Sequence, residues 1–233
     1  MSAARAVPAG LLQRYAAWSL DMALLGTVAL AVCAPRLHAA LPRVAASFDA
    51  LVRSMAASML DMLVQGGTPL ALSRQWLSDP QQRALAGGLS QALADVAVPP
   101  LLLACALALA WFTFWESSSR QATPGKRAIG LRVCTAAGGR PGAVRAAARQ
   151  LAGTLSWLSL NIGHLLALTS PGHQALHDRM AGMRVVSDRG EPAVPRWAWA
   201  WLALQAAAAL AASAALFLAT QAAMQRALDS LLA

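Results

Sequence analysis

Three long runs of apolar residues, at 12–34, 92–115 and 197–220, decide what this chain can fold into. Each exceeds the roughly 20 residues that a helix needs to cross a hydrocarbon core of about 30 Å. In lipid the backbone must satisfy its own polar groups, and a helix does so within one segment. Charged residues make up only 12% of the 233, against roughly a quarter in an ordinary soluble domain. The expectation is an all-α polytopic membrane protein with three full transmembrane helices.

The intervals between the runs differ in kind. Pro35-Arg36 predicts the end of the first span. Residues 36–91 carry a charge every few positions, while Phe48, Leu51, Val52, Met55, Met59 and Met62 recur at helical spacing. One or two amphipathic helices fit that pattern, and a solvated spacer is the alternative. Gly66-Gly67-Thr68-Pro69 predicts a break in the middle. In the second run Pro99-Pro100 predicts a kink or restart, and Trp111 and Trp115 mark an interfacial end. A fourth apolar run, residues 150–168, is shorter and contains Asn161 and His164, so it either crosses or re-enters on the same side. Ala207, Ala211 and Ala215 in the final run form a small-residue face suited to close helix packing. Residues 1–190 read as one membrane domain, and residues 191–233 as an added helix and tail.

The net charge of +9 would suit nucleic acid, but nucleic-acid binders cluster basic residues on a water-exposed face. Here the arginines lie between apolar runs, where they orient spans and meet anionic headgroups. Arginine supplies eighteen of the nineteen basic residues, which together with the alanine excess suggests a GC-rich bacterial genome. Cys33, Cys105 and Cys134 have no CxxC spacing, and His173 with His177 lacks a third ligand, so neither disulfide nor metal site follows. Gly125-Lys126 continues into Arg127 and is not a phosphate-binding loop. Without a nucleophile signature the chain reads as a non-enzyme that needs no cofactor. Arg5 and Arg14 before an apolar run resemble a signal, but Asp21 interrupts that run and Leu30-Ala31-Val32-Cys33 is a poor lipoprotein box, which favours a retained span.

Asp21 is the residue most in need of explanation. An aspartate inside a span costs about 2.5 to 3.5 kcal/mol on insertion scales. It either lines an ion pathway or is hydrogen-bonded within the bundle as a packing group. Arg14 is two helical turns away on nearly the same face, about 10 Å along the axis, and out of pairing range. Farther on, Ile129-Gly130-Leu131-Arg132-Val133-Cys134 and Ala181-Gly182-Met183-Arg184-Val185-Val186 share a β-leaning pattern that predicts a two-stranded pair. Such a pair requires both segments on one side of the membrane.

Arg14 with Asp21, Glu116 leading into Gln121-Ala122-Thr123-Pro124-Gly125-Lys126-Arg127, and the closing Gln174-Ala175-Leu176-His177-Asp178-Arg179-Met180-Ala181-Gly182 together resemble the RDD family of bacterial membrane proteins. The resemblance covers roughly residues 11–186, with 36–91 and the last span outside its core, and Met183 departs from the usual threonine. It implies that Arg14, Asp21 and Asp178 are the signature residues and that the protein is involved in transport. Asp21, Glu116, Asn161 and His164 are then candidate ion or ligand groups. Lys126 and Arg127 are candidate headgroup contacts, and Asp178 is expected to pair with Arg14, Arg149 or Arg179. The rival function is a non-transporting scaffold or assembly partner in which the charges only hold helices together. The small size favours a homo-oligomer or a membrane partner under either reading. With the amino terminus and residues 116–149 and 169–196 inside, thirteen basic residues lie inside and six outside, against ten and nine if residues 150–168 cross fully. The positive-inside rule therefore favours a cytoplasmic amino terminus in the bacterial inner membrane, with a re-entrant fourth segment.

Overall fold

The computed structural model describes residues 7–158, 173–188, 190 and 193–232. In chain order its elements are β1 (Val7–Pro8), α1 (Leu11–Gln65), α2 (Pro69–Ser78), α3 (Pro80–Ser117), α4 (Pro124–Ile129), β2 (Leu131–Thr135), α5 (Ala143–Leu158), α6 (Leu176–Met180), β3 (Met183–Ser187) and α7 (Arg196–Leu232). The helices α1, α3 and α7 are long and apolar enough to cross a membrane. The chain is an all-α polytopic membrane protein with a minor sheet.

The first helix does not end at Pro35. It continues through Pro35 and Pro42 to Gln65, and α3 likewise continues through Pro99 and Pro100. Each proline forfeits one backbone bond, a loss that membrane helices tolerate when neighbouring groups compensate. The helix stops where glycine takes over. Gly66 adopts a left-handed φ of 68°, and the Gly67 N–H donates to the Met62 carbonyl at 2.8 Å, a C-terminal closure that residues with a Cβ disfavour. Thr68 then caps α2 by accepting from the Ala71 N–H, with Pro69 at the first helical position. Residues 36–91 are thus the continuation of α1, the whole of α2 and the start of α3.

The chain divides into two compact units. One comprises Leu30–Leu101 and Ala206–Ala233. Its core is Val52, Ala56, Ala223 and Ala227, with Phe48, Met224 and Leu228 against it, so part of the periodic apolar stripe of residues 48–62 packs on the end of α7. Gln82 is buried in this unit and donates to Ser54 Oγ at 2.8 Å.

The other unit, Met1–Ala29 with Leu102–Gln205, holds the sheet. Strand order is β1-β3-β2, all antiparallel, with Val133 opposite Val185 and Cys134 opposite Arg184. The pairing of residues 131–135 with 183–187 follows the sequence pattern; β1, which pairs Val7 with Ser187, is an addition to it. Leu131, Val133, Met183 and Val185 alternate onto one face and pack on Ala16, Ala17 and Ala198, whose small side chains let backbone approach backbone. Met183 is fully buried there, so its departure from threonine fills the core. Gly130, left-handed at φ 84°, closes α4 and turns the chain into β2.

The register is open to direct test. Directly opposed antiparallel residues have Cα atoms about 4.5–5.5 Å apart, within the range a disulfide spans. In a chain whose Cys33 and Cys105 are replaced by serine, Arg184→Cys is expected to form a disulfide with the native Cys134 under mild oxidation. Val186→Cys, one diagonal step away, is expected to remain reduced; disulfide formation by Val186→Cys instead of Arg184→Cys would show a shifted register.

Candidate functional site

The signature residues lie where the starts of α1 and α5, the end of α3, α4 and α6 converge. Arg14, on the first turn of α1, reaches Asp178 on α6 at 2.5 Å and donates through Nε to the Ala9 carbonyl at 3.1 Å. Asp178 accepts at its other oxygen from Arg149 Nε at 2.7 Å, and its Oδ2 also receives the Ala175 N–H that precedes α6. Arg149 extends to Glu116 at 2.8 and 2.9 Å, so one guanidinium bridges two carboxylates. Glu116 also receives Lys126 Nζ at 2.8 Å and Gln150 Nε2 at 3.1 Å. Three cations and two carboxylates thereby form one chain of ion pairs, in which Glu116 and Asp178 are completely buried.

Asp21 does not join that chain. Its Oδ1 accepts the Gly125 N–H at 2.9 Å and Trp111 Nε1 at 3.3 Å, and its Oδ2 accepts Thr123 Oγ1 at 2.5 Å. Thr123 in turn caps α4 by accepting from the Lys126 N–H. The sequence Thr123-Pro124-Gly125 is therefore a helix start. Gly125 is required there for space: a Cβ would come within 2.2 Å of the Ala17 carbonyl oxygen and 2.7 Å of Asp21 Oδ2. Asp21 lies level with side chains typical of a membrane interface, since Trp111 donates to it and Trp201 donates to Ser19 two residues away.

Several sequence expectations change at this point. Lys126 is buried, pairs with Glu116 and lies 4.7 Å from the centre of the Phe112 ring, which removes it from headgroup contact; Arg127 is exposed. Glu116 is not an open ligand group, because Lys126, Arg149 and Gln150 occupy both its oxygens. Asp178 sits in a short helix, and His177 beside it is buried with Nε2 at 3.5 Å from the same carboxylate. Of the expected partners of Asp178, Arg14 and Arg149 reach it, while Arg179 is exposed. Asn161 and His164 lie outside the described residues, as does most of the fourth apolar run. Sequence reasoning missed Thr123, Gly125 and Trp111 as partners of Asp21, although Thr-Pro at a helix start was a signal for the first of them.

Burial alone would raise the Asp178 carboxyl, but the charges of Arg149 and Arg14 outweigh it and hold the group well below the ordinary carboxylate value of 3.8. A depressed carboxylate contributes stability that is fully present above the unfolded value and is lost as pH falls toward the folded one. Asp178→Asn leaves Arg14 without its charge partner and should cost about 3 to 5 kcal/mol. Thermal unfolding in detergent between pH 7 and pH 3 should show a lower midpoint for the variant at pH 7 and a flatter acid limb. An unchanged midpoint with the same acid limb as the parent would mean the pair contributes nothing.

The RDD family model matches residues 8–182, which include every side chain of this network. No curated protein and no solved structure matches the chain. With that match covering most of its length, the chain belongs to the RDD family.

Proposed function

We propose that this protein is a membrane scaffold or assembly element of the bacterial inner membrane, in which the signature charges lock a small sheet and its short helices onto the first transmembrane helix. The observation that carries this reading is the full commitment of Asp21: both of its oxygens already accept protein donors, from Thr123, Gly125 and Trp111. A carboxylate that couples transport must release its partners to take up a proton or cation. Freeing Asp21 would detach the start of α4, which Thr123 and Gly125 hold against α1.

Orientation follows from the sheet and the charge count. Because β1, β2 and β3 are hydrogen-bonded neighbours, the amino-terminal segment and residues 131–135 and 183–187 share one side. With the amino terminus and both basic loops on that side, it holds thirteen basic residues against six, and the positive-inside rule makes it cytoplasmic. A scaffold needs something to hold, and α7 offers an apolar surface in which Ala207, Ala211 and Ala215 permit close approach by a membrane partner or second copy.

The rival reading, transport of an ion or small solute with Asp21 as coupling group, is supported by the general rule that ionisable residues inside spans mark pathways. One variant separates the two. Asp21→Asn keeps the shape but places an NH2 group against donors, and under the scaffold reading it should lose about 1 to 3 kcal/mol of stability and accumulate poorly. Thermal unfolding and protein level, measured beside proton and cation flux in proteoliposomes, provide the readout. A variant of normal stability that abolishes a flux present in the parent would establish the transport reading in its place.

A further inference from the structure

An open cavity of about 1070 Å³ lies away from the ion-pair chain, between the turn after β2, the first turns of α5 and the end of α6. Arg145 and Arg179 line it, and no carboxylate does; the rest of the wall includes Val144, Ala148 and Met180. These two arginines differ from the carboxylate-paired cations of this unit and share an exposed side chain with Arg127, but unlike Arg127 they line the cavity. Arg14, Lys126, Arg132 and Arg149 are each held by a carboxylate, whereas Arg145 and Arg179 are exposed and their side chains have no hydrogen-bond or ion-pair partner among the described residues. Beside them, Val144 is 86% exposed and Met180 58% exposed, and Val144, Ala148 and Leu151 follow one another at i, i+4 and i+7 along the open face of α5.

A free phosphate would use the two guanidinium groups and leave the apolar wall wet. An apolar peptide would cover Val144 and Met180 but leave two cations facing it. An amphipathic anion satisfies both parts of the surface. Leu151, 56% exposed, continues that apolar face one turn farther along α5. From this juxtaposition we infer that the cavity is a binding site for the headgroup of an anionic phospholipid, whose phosphate is held by Arg145 and Arg179 while its glycerol and upper acyl chain cover Val144 and Met180. The headgroup contact expected of Lys126 is thus carried instead by cations that no internal carboxylate claims. The inference rests on the membrane placement of the chain and is independent of whether it transports anything.

The test is native mass spectrometry of the full chain released from detergent containing equal amounts of phosphatidylglycerol and phosphatidylcholine. Each cation near an anionic surface contributes about a fivefold preference, so the parent should retain phosphatidylglycerol roughly 30-fold over phosphatidylcholine. Arg145→Gln with Arg179→Gln should remove that preference at an unchanged unfolding midpoint, since both side chains are exposed, whereas Arg127→Gln, an exposed cation outside the cavity, should retain it. Equal retention of phosphatidylglycerol by the double variant and the parent would overturn the assignment, as would an equal loss in Arg127→Gln. Inorganic phosphate that displaces the lipid at equal concentration would assign the site to free phosphate. A dimer that the double variant dissociates, with no lipid bound, would assign the surface to a second copy; either result defeats the proposal.

Discussion

A carboxylate removed from water must be paid for by its neighbours, and Asp178 is the one on which this structure turns. It is completely buried, and Arg14 and Arg149 each hold one of its oxygens. Those two arginines come from α1 and α5, so the pair can form only when the first helix, the helix after β2 and the short helix before β3 have all arrived. Arg149 passes the constraint on to Glu116 at the end of α3, and Lys126 closes it from α4. Buried ion pairs contribute little net stability against a well-packed apolar alternative, but they penalise arrangements that leave a charge alone. In a bundle whose helices are otherwise built largely of alanine and leucine, such a penalty selects one arrangement among many.

Asp21 performs a similar task with hydrogen bonds in place of cations. It accepts the Thr123 hydroxyl and the Gly125 amide at the start of α4, while the absence of a Cβ on Gly125 lets that start sit directly on the Ala17 carbonyl. The three signature residues therefore act at two contacts. Arg14 and Asp178 join α1 to α6, and Asp21 joins α1 to α4. Because α4 leads through Gly130 into β2, and α6 leads into β3, both contacts fix the sheet against the first helix.

Much of this was legible in the residues. Apolar run length gave the three long helices, and the repeated Gly-apolar-Arg-Val pattern gave the strand pair with its partners. The need to neutralise Asp178 pointed to Arg14, Arg149 or Arg179, of which the first two pair with it. The ends of the helices were less legible. Pro35 looked like a terminator, yet α1 continues for thirty residues, because proline weakens a helix locally whereas Gly66 supplies the left-handed backbone that ends one. Strand β1 has two residues and no pattern to read. The partners of Asp21 were hidden for a different reason: a backbone amide and an indole at sequence separations near one hundred leave no periodic trace. Lys126 misled because a lone lysine beside arginine in a basic loop resembles a surface group, and only the buried Glu116 ten residues earlier explains it.

The central claim is that Arg14 and Asp178 act as a coupled structural pair. The most direct measurement is a double-mutant cycle in which thermal or denaturant unfolding is recorded for the parent, Arg14→Gln, Asp178→Asn and the combined variant under identical detergent conditions. Contacting buried charges should give a coupling of about 1 to 3 kcal/mol, with the double variant markedly more stable than the sum of the single losses predicts. Losses that add within about 0.5 kcal/mol would mean that the two residues act independently and that the clamp does not hold this fold together.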